Sequence, residues 1–502
     1  MRPVIAAAWA LVGVVAVAAT LMFYGLSGPP MEGPGYIHDE CYQAFTAHRY
    51  AIGDPHAWRW GERDVMEKFG TSDLTSATTY EWVHPPLAKL IMAGFIRALG
   101  FHPAAYRAGS VVLGLLGIVV TFLLARRMYG LGVATLAAVL VSFDGMYFVL
   151  SRVAMNDIYV TGLLVACVGA TYAAYTAQGL AARRGWALVS GLVAGLAIAT
   201  KWNAAPTLIV CGLVVLWSLW RGERVRAVAV VGWVGAYVVI PAAVYAACYA
   251  PYLAQGYGLA ELASLQRDIW AFHKSLRSGH SSSSRWYEWP LLVRPVWFYQ
   301  ADGLGPQTLR EIYGFGNPLL WWLMFPAVIG LGVRAWRTRS VDDAFVVVPF
   351  LAVWLPWTII GRVTFIQYVL PALPLGAIAV ARVLSLLSGR YFARLAAGYG
   401  LAVVLCFAHF YPILVGRSVP TASVQGQRWF WFPGWRPCSG DCDGTPSASA
   451  TADTAAAAED WDDTDTASTA TAADTATTGD DIELVDPEAP AERSLPAATP
   501  IP

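Results

Sequence analysis

The sequence predicts an all-α polytopic membrane protein, and three observations carry that expectation. Hydrophobic residues fill 57% of the 502 positions and charged residues only 14%, against about a quarter charged in soluble domains. Apolar runs long enough to cross a bilayer recur along most of the chain. The arginines between those runs crowd into alternate connections, which is the charge signature of membrane orientation. The same figures exclude a disordered chain, which would be more charged and less apolar. Lys plus Arg number 34 and Asp plus Glu number 34, and this formal charge of zero argues against a nucleic-acid partner.

The first apolar run, 4–25, follows Arg2 and reads as an uncleaved signal anchor, since no small-residue cleavage site follows it. Further runs lie at 107–125, 131–150, 157–178, 186–200, 204–220, 227–249, 318–333, 343–360, 365–387 and 393–414, giving about eleven transmembrane helices. The stretch 86–100 is shorter and carries Lys89 and Arg97. Kept out of the membrane, it leaves Arg126, Arg127, Arg183, Arg184, Arg221, Arg224, Arg226, Arg334, Arg337, Arg339, Arg390 and Arg394 on the side of Arg2. The short loops opposite then hold only Arg152, Lys201 and Arg362. Crossing would reverse that balance, so 86–100 is expected as an interfacial helix in the first external loop. The N-terminus is then cytoplasmic and the C-terminus extracytoplasmic.

This divides the chain into a transmembrane body at 1–415, with external loops 26–106 and 250–317, an external aromatic segment at 416–440, and a tail at 441–502. Loops this long are usually functional, and both are rich in Trp, Tyr, His, Arg and acidic residues. The tail is Ala, Thr, Ser, Pro and acidic residues, a composition that buries no core and is expected to be disordered. It holds fifteen acidic residues and one Arg, so the zero net charge is a tail of −14 against a body of +14. None of the three Asn begins an N-x-Ser/Thr sequon. Of the seven cysteines, Cys167, Cys211, Cys248 and Cys406 fall in apolar runs and read as buried, while Cys438 and Cys442 are spaced either to pair or to stay as two thiols.

Three groups of residues carry chemistry. Asp39-Glu40, a dozen residues past the first run, is a carboxylate pair suited to general acid/base work or to holding a metal. In Trp82-Val83-His84-Pro85-Pro86-Leu87-Ala88-Lys89 the double proline fixes an extended entry into a helix and sets His84 and Lys89 at the water–lipid boundary. Arg107, Arg152, Asp157, Lys201 and Arg362 lie at the outer ends of expected spans, where ionisable groups are costly and usually functional. Cations converging there suit a phosphate headgroup.

Together these motifs resemble the protein O-mannosyltransferase family of the GT-C glycosyltransferase superfamily. The resemblance runs through YIHDECY (36–42), WVHPPLAKL (82–90), YRAGS (106–110), SFDGMYFVLSRVAMNDIY (142–159) and GLAIATKWNAA (195–205). It continues through SSRWYEWPLLVRPVWFY (283–299), GNPLLWW (316–322) and RVTFIQYVLPALP (362–374), covering about 1–415. It implies the GT-C fold and transfer of mannose, or a related hexose, from a polyprenyl- or dolichyl-phosphate sugar to Ser/Thr hydroxyls of secreted or membrane proteins. Asp39 would be the general base of an inverting reaction and Glu40 its support. Arg107, Arg152, Lys201 and Arg362 would bind the donor phosphate. His84, Lys89, Asp157, Trp289 and Arg294 would line the cavity or acceptor site.

The family chemistry requires no cofactor, although His38 beside the carboxylates leaves a divalent metal open. Expected partners are the sugar-carrying lipid, the acceptor protein or glycan, the bilayer, and a homo- or hetero-dimer mate. The expected location is the plasma membrane, with the active site and tail extracytoplasmic. Two departures stand out. Loop 250–317 is too short for the MIR domain of eukaryotic members, which makes the chain prokaryotic in type. Gln367-Tyr368-Val369 replaces a family segment that usually carries His. The alternative with the same fold hands a lipid-phosphate-linked sugar to a glycolipid or to a lipid-linked or N-linked oligosaccharide.

Overall fold

A computed structural model describes residues 2–28, 37, 39–58, 81–276, 282–301, 308–420, 429–432 and 435. All of them fall in the first of two units into which the chain divides, Met1–Asp453. His38, Cys438, Cys442 and the tail 441–502 lie outside the described residues. The described parts of loops 26–106 and 250–317 meet at one end of the helical bundle, where His273 lies against the Val83 carbonyl, and the arginine-rich connections form the other, where Arg184 pairs with Glu223.

Helix α1 (Arg2–Phe23) has 22 residues and exposes Val4, Trp9 and Val12. At 1.5 Å per residue it is long enough to cross roughly 30 Å of hydrocarbon. In the first loop, α2 (Glu40–Ile52) stops at Gly53, whose left-handed φ of 73° lets its N–H close onto the carbonyls of Arg49 and Tyr50. Helix α3 (Leu87–Leu99) begins directly after Pro85-Pro86 and buries Ala88, Met92, Ala93 and Ile96. Its 13 residues span about 20 Å, short of a membrane crossing.

Next come α4 (Pro103–Tyr129), α5 (Leu131–Ser142), α6 (Gly145–Leu150), α7 (Asn156–Thr176), α8 (Leu180–Ile198) and α9 (Ala205–Gly222). The single helix expected over 131–150 is broken. Asp144 is fully buried between α5 and α6 and caps α6 by accepting from Tyr147 N at 2.9 Å. Its other oxygen accepts from Asn317 N and Trp321 Nε1, both at 2.8 Å. The run 227–249 is also interrupted, into α10 (Arg226–Val234), a π-helical turn Gly235–Val239, and α11 (Ile240–Cys248). The turn lies against α8, where a Cβ on Gly191 would stand 1.7 Å from the Ala236 carbonyl oxygen.

The second loop holds α12 (Ala250–Ala254) and α13 (Leu259–Ser275). It also holds strands β1 (Val296–Gln300), β2 (Thr308–Leu309) and β3 (Glu311–Gly314). The last helices are α14 (Pro318–Thr338), α15 (Val341–Trp354), α16 (Leu373–Ser388) and α17 (Phe392–Leu414), followed by β4 (Val419–Pro420). Eight described segments are long and apolar enough to cross a membrane, and the last of these, Ile366–Leu414, folds back at Gly389 between α16 and α17. Among the rest, α5 is short and α8 carries Arg183 and Arg184 in its first turns.

The all-α expectation misses two small antiparallel ribbons, β1 with β3 and β2 with β4. The second joins residue 309 to residue 419, across the expected boundary at 415. Trp429 Nε1 donates to His409 O at 2.8 Å and Trp435 Nε1 to Leu292 O at 2.5 Å, so the described part of the aromatic segment packs on the helical body.

The core lies among α4, α5, α7 and α16. At the arginine-rich end the buried Asp343 of α15 accepts from Tyr129 of α4 at 2.9 Å, pairs with Arg334 of α14, and lies 3.8 Å from Arg382 of α16. Its neighbour Asp342 accepts from Tyr172 of α7 at 2.8 Å. One pair of carboxylates thus ties four helices to α15.

Candidate active site

The site is built at the loop end from side chains far apart in sequence. Before α3, the backbone N–H of Glu81 donates to Thr46 Oγ1 of α2 at 2.8 Å, which pins the 81–86 segment on the first loop. Glu81 then holds both polar residues of the proline motif. Its Oε1 lies 2.5 Å from His84 Nδ1 and its Oε2 pairs with Lys89 Nζ. Lys89 also donates to the His84 carbonyl at 3.0 Å. Lys89 is 1% exposed, so the expectation of a lysine at the water–lipid boundary gives way to a buried ion pair. Burial works to raise the Glu81 pKa, but Lys89 and His84 overcome it and hold the carboxyl down to about 2. Burial lowers the pKa values of His84 and Lys89 despite the opposing pull of Glu81.

Helix α13 brings His273 against this group, its ring centroid 5.2 Å from that of His84. His273 Nε2 lies 2.9 Å from the Val83 carbonyl, which only accepts, so that nitrogen carries the hydrogen. Nδ1 is then free to accept from Arg362 Nη1 at 2.5 Å. Burial, with His84 and Arg362 nearby, pushes the His273 pKa down to about 3 and keeps the ring neutral.

Arg362 Nη2 donates to Tyr368 Oη at 3.2 Å. The Tyr368 ring faces two cations, Lys201 Nζ at 5.0 Å and the Arg362 guanidinium at 5.8 Å, and stacks on Trp357 at 4.8 Å. Lys201 also pairs with Asp157 at 2.8 Å, and Asp157 is 1% exposed. Glu81 and Asp157 therefore offset Lys89 and Lys201, and the imidazoles are neutral. Arg362 is left as a cation with no carboxylate partner among the described residues.

A second group forms where α2 begins. Asp39, at the N-cap of α2, is exposed, and Glu40, one residue on, is completely buried. Glu40 accepts from Arg107 Nε at 2.8 Å and Nη2 at 2.6 Å, from Ile37 N at 3.0 Å and from Ala154 N at 2.8 Å. Arg107 also donates to the carbonyls of Leu26 and Gly28, both at 3.0 Å. Arg152 is directed at the end of α1, where it donates to the carbonyls of Leu21, Met22, Tyr24 and Gly25 at 2.7–3.0 Å. Leu21 and Met22 are in the last turn of α1, whose carbonyls a helix leaves without intrahelical partners, and Tyr24 and Gly25 are in the turn that follows. The phosphate-binding expectation for Arg107 and Arg152 thus meets guanidiniums already engaged by protein oxygens. Glu40, expected to support the base, has its carboxylate held by four donors.

Trp289 was expected in the cavity but is 0% exposed, with Nε1 donating to Ser284 Oγ at 3.1 Å and its ring against Trp357 at 6.0 Å. Its edge contact connects it to the Trp357–Tyr368 stack. Arg294 is exposed in the turn before β1. The sequence reading missed Glu81, His273 and Tyr368 as site residues. The available signals were a carboxylate three residues before His84 and a histidine in the second external loop. Among the described residues no three His, Cys, Asp or Glu side chains gather as a metal site, and His38 lies outside them.

Comparison with known proteins finds two matched segments of the chain. Residues 101–253 match the model described as dolichyl-phosphate-mannose-protein mannosyltransferase. Residues 258–435 match the C-terminal four TMM region of protein-O-mannosyltransferase. The polyprenol-phosphate-mannose–protein mannosyltransferase of Mycobacterium tuberculosis is 27% identical over 504 residues, covering 85% of this chain and 92% of the relative. Its namesake from Corynebacterium glutamicum is 25% identical over 503 residues, covering 85% and 93%. Among solved structures, the Saccharomyces cerevisiae Pmt1–Pmt2 complex bound to the sugar donor superposes with a TM-score of 0.69 at 14% identity, over 89% of this chain and 94% of that one. ArnT from Cupriavidus metallidurans superposes with a TM-score of 0.53 at 21% identity, over 81% and 64%. These likenesses carry the fold. Asp157 and Lys201 lie in the first matched segment and His273, Arg362 and Tyr368 in the second, while Asp39, Glu40, Glu81, His84 and Lys89 precede both.

Proposed function

The chain belongs to the protein O-mannosyltransferase family, and from that premise we propose that it moves mannose from a polyprenyl-phosphate carrier to a Ser or Thr hydroxyl of a protein. The observation that carries the reading is the Lys201–Arg362 pair on Tyr368, with one cation uncompensated. A phosphodiester brings a single negative charge, and charge-assisted hydrogen bonds in a water-poor pocket hold it well.

In the transfer, the acceptor oxygen attacks the anomeric carbon from the face opposite the lipid phosphate. The bond from that carbon to the phosphate oxygen breaks, inverting the centre. Asp39 takes the acceptor's proton. The departing lipid phosphate gains a negative charge, which Lys201 and Arg362 stabilise without protonating it. Glu40, Arg107 and Arg152 are then structural: they fix the start of α2, and with it Asp39, against α1, α4 and the α6–α7 turn. The same reading puts the loop end outside the plasma membrane. Because the yeast neighbour is a two-protein complex, native mass spectrometry is the measurement for a homo- or hetero-dimer.

The test is transfer from polyprenyl-phosphate-mannose to a Ser/Thr peptide in membranes carrying the protein. Product mannose should be released by β-elimination. Asp39→Asn should lower kcat by at least about 10²-fold, the scale of a lost general base. Wild-type rates in that variant would exclude Asp39 as the base. Labelled glycolipid or oligosaccharide, with an unmodified peptide, would replace the protein acceptor with a glycan.

A further inference from the structure

Glu81 is assigned no part in the reaction just described, yet its carboxylate holds both polar residues of the proline motif. It is 7% exposed, lies 2.5 Å from His84 Nδ1, pairs with Lys89, and is anchored to α2 through its own backbone. A carboxylate that is ionised in place only accepts, so the hydrogen of the His84 ring sits on Nδ1. The other nitrogen, Nε2, then carries a lone pair. His84 is one-fifth exposed, and Nε2 has no partner among the described residues.

We infer that Glu81 is the positioning residue of this site: it fixes His84 so that Nε2 offers a neutral acceptor to a hydroxyl of the bound sugar or acceptor, and it removes Lys89 from the charge that meets the phosphate. This rests on the function proposed above. The second half follows from position. Without Glu81, Lys89 would be a second cation acting on His84 beside Lys201, its buried charge offset by no other neighbour's charge among the described residues. The groups facing His84 are Glu81 from its own segment, Lys89 from α3, His273 and, behind it, Arg362, and Lys201. Glu81 is the only anion among them, so it favours the imidazolium, and removing it makes His84 harder to protonate.

The experiment uses the full chain in nanodiscs as wild type, Glu81→Gln, Glu81→Asp, and the charge-neutral double variant Glu81→Gln/Lys89→Met. An amide in place of the carboxylate can turn its NH2 toward Nδ1 and release the tautomer. Both Gln variants should lose about 10- to 100-fold in kcat, the usual effect of losing an orienting partner, with the KM for polyprenyl-phosphate-mannose within about twofold in the charge-neutral double variant and shifted in Glu81→Gln, where Lys89 is freed. Their acidic pH–rate limb should move to lower pH. Glu81→Asp should recover part of the rate.

A second readout needs no turnover: the pH dependence of His84 carbethoxylation by diethyl pyrocarbonate, mapped by mass spectrometry. Its midpoint should fall in both Gln variants. If the double variant regains wild-type kcat and pH profile, Glu81 serves only to neutralise Lys89 and the inference is overturned. An unmoved carbethoxylation midpoint overturns it as well. A wild-type protein inactive with the mannosyl donor refutes the proposed function instead, and the carbethoxylation arm then decides on Glu81 alone.

Discussion

Asp39 and Glu40 are neighbours with opposite environments, one exposed and one completely buried. Four donors occupy both oxygens of the Glu40 carboxylate, which ties it into the fold. Removing it exposes that role. Glu40→Ala leaves Arg107 buried without its anion, and losing one member of a buried pair costs about 3–5 kcal/mol. We expect that variant to show a large drop in thermal midpoint and folded yield. Adding Arg107→Ala should recover part of the loss, since the pair is coupled. Additive losses in that double-mutant cycle would mean the two do not act together.

His273 gives a pH signature at the same scale. Its pKa is about 3 in the fold against an ordinary 6.5. Below 6.5 the unfolded chain binds a proton that the folded ring refuses, so stability present above that pH is lost as pH falls toward 3. Glu81 has the corresponding window below its ordinary 4.5. Between pH 6.5 and 4.5 the histidines therefore act without it. The thermal midpoint should fall across that interval in wild type and fall less steeply in His273→Asn, and parallel slopes would exclude His273 as a cause.

At the scale of elements, the breaks in the apolar runs come from contacts with distant segments. The α5–α6 break follows from Asp144 meeting Asn317 and Trp321, more than 170 positions away. An isolated Asp in an apolar run does not reveal such partners. The π-helical turn Gly235–Val239 sits where α8 comes closest, and Gly191 is what permits that approach. Gly191→Ala would press a methyl into the Ala236 carbonyl and should cost about 1–3 kcal/mol, the usual penalty of overpacking. Gly185→Ala, on the same helix with nothing within 4 Å of its added methyl, should instead stabilise by about 0.5–1 kcal/mol, the ordinary gain of Ala over Gly in a helix. Equal thermal midpoints for the two variants would remove the close approach as the cause.

For the whole molecule, the zero net charge conceals an order that the fold uses. The arginines Arg126, Arg127, Arg221, Arg334 and Arg337 lie at the ends of α4, α9 and α14 away from the candidate site, beside the Asp342–Asp343 tie. The proposed orientation makes this end cytoplasmic. A cysteine placed at the exposed Arg294 should react with a membrane-impermeant maleimide in intact cells, above the background of the parent protein. A cysteine at Arg337 should react only after permeabilisation. The reverse pattern would invert the topology.

The apolar runs, the arginine bias and the motifs in their order determined the membrane class, the mostly helical fold and the family, because hydrophobicity and charge act through local composition and are written along the chain. The His84, Lys201 and Arg362 motifs were legible for the same reason. Which of the charged residues remain available to a ligand was decided only by the tertiary structure. Arg107 and Arg152 look like Lys201 and Arg362 in sequence, but Glu40 and the end carbonyls of α1 engage them, while Arg362 meets a neutral His273 and a tyrosine. A buried charge takes its function from what pairs with it, and those partners lie tens to hundreds of residues away.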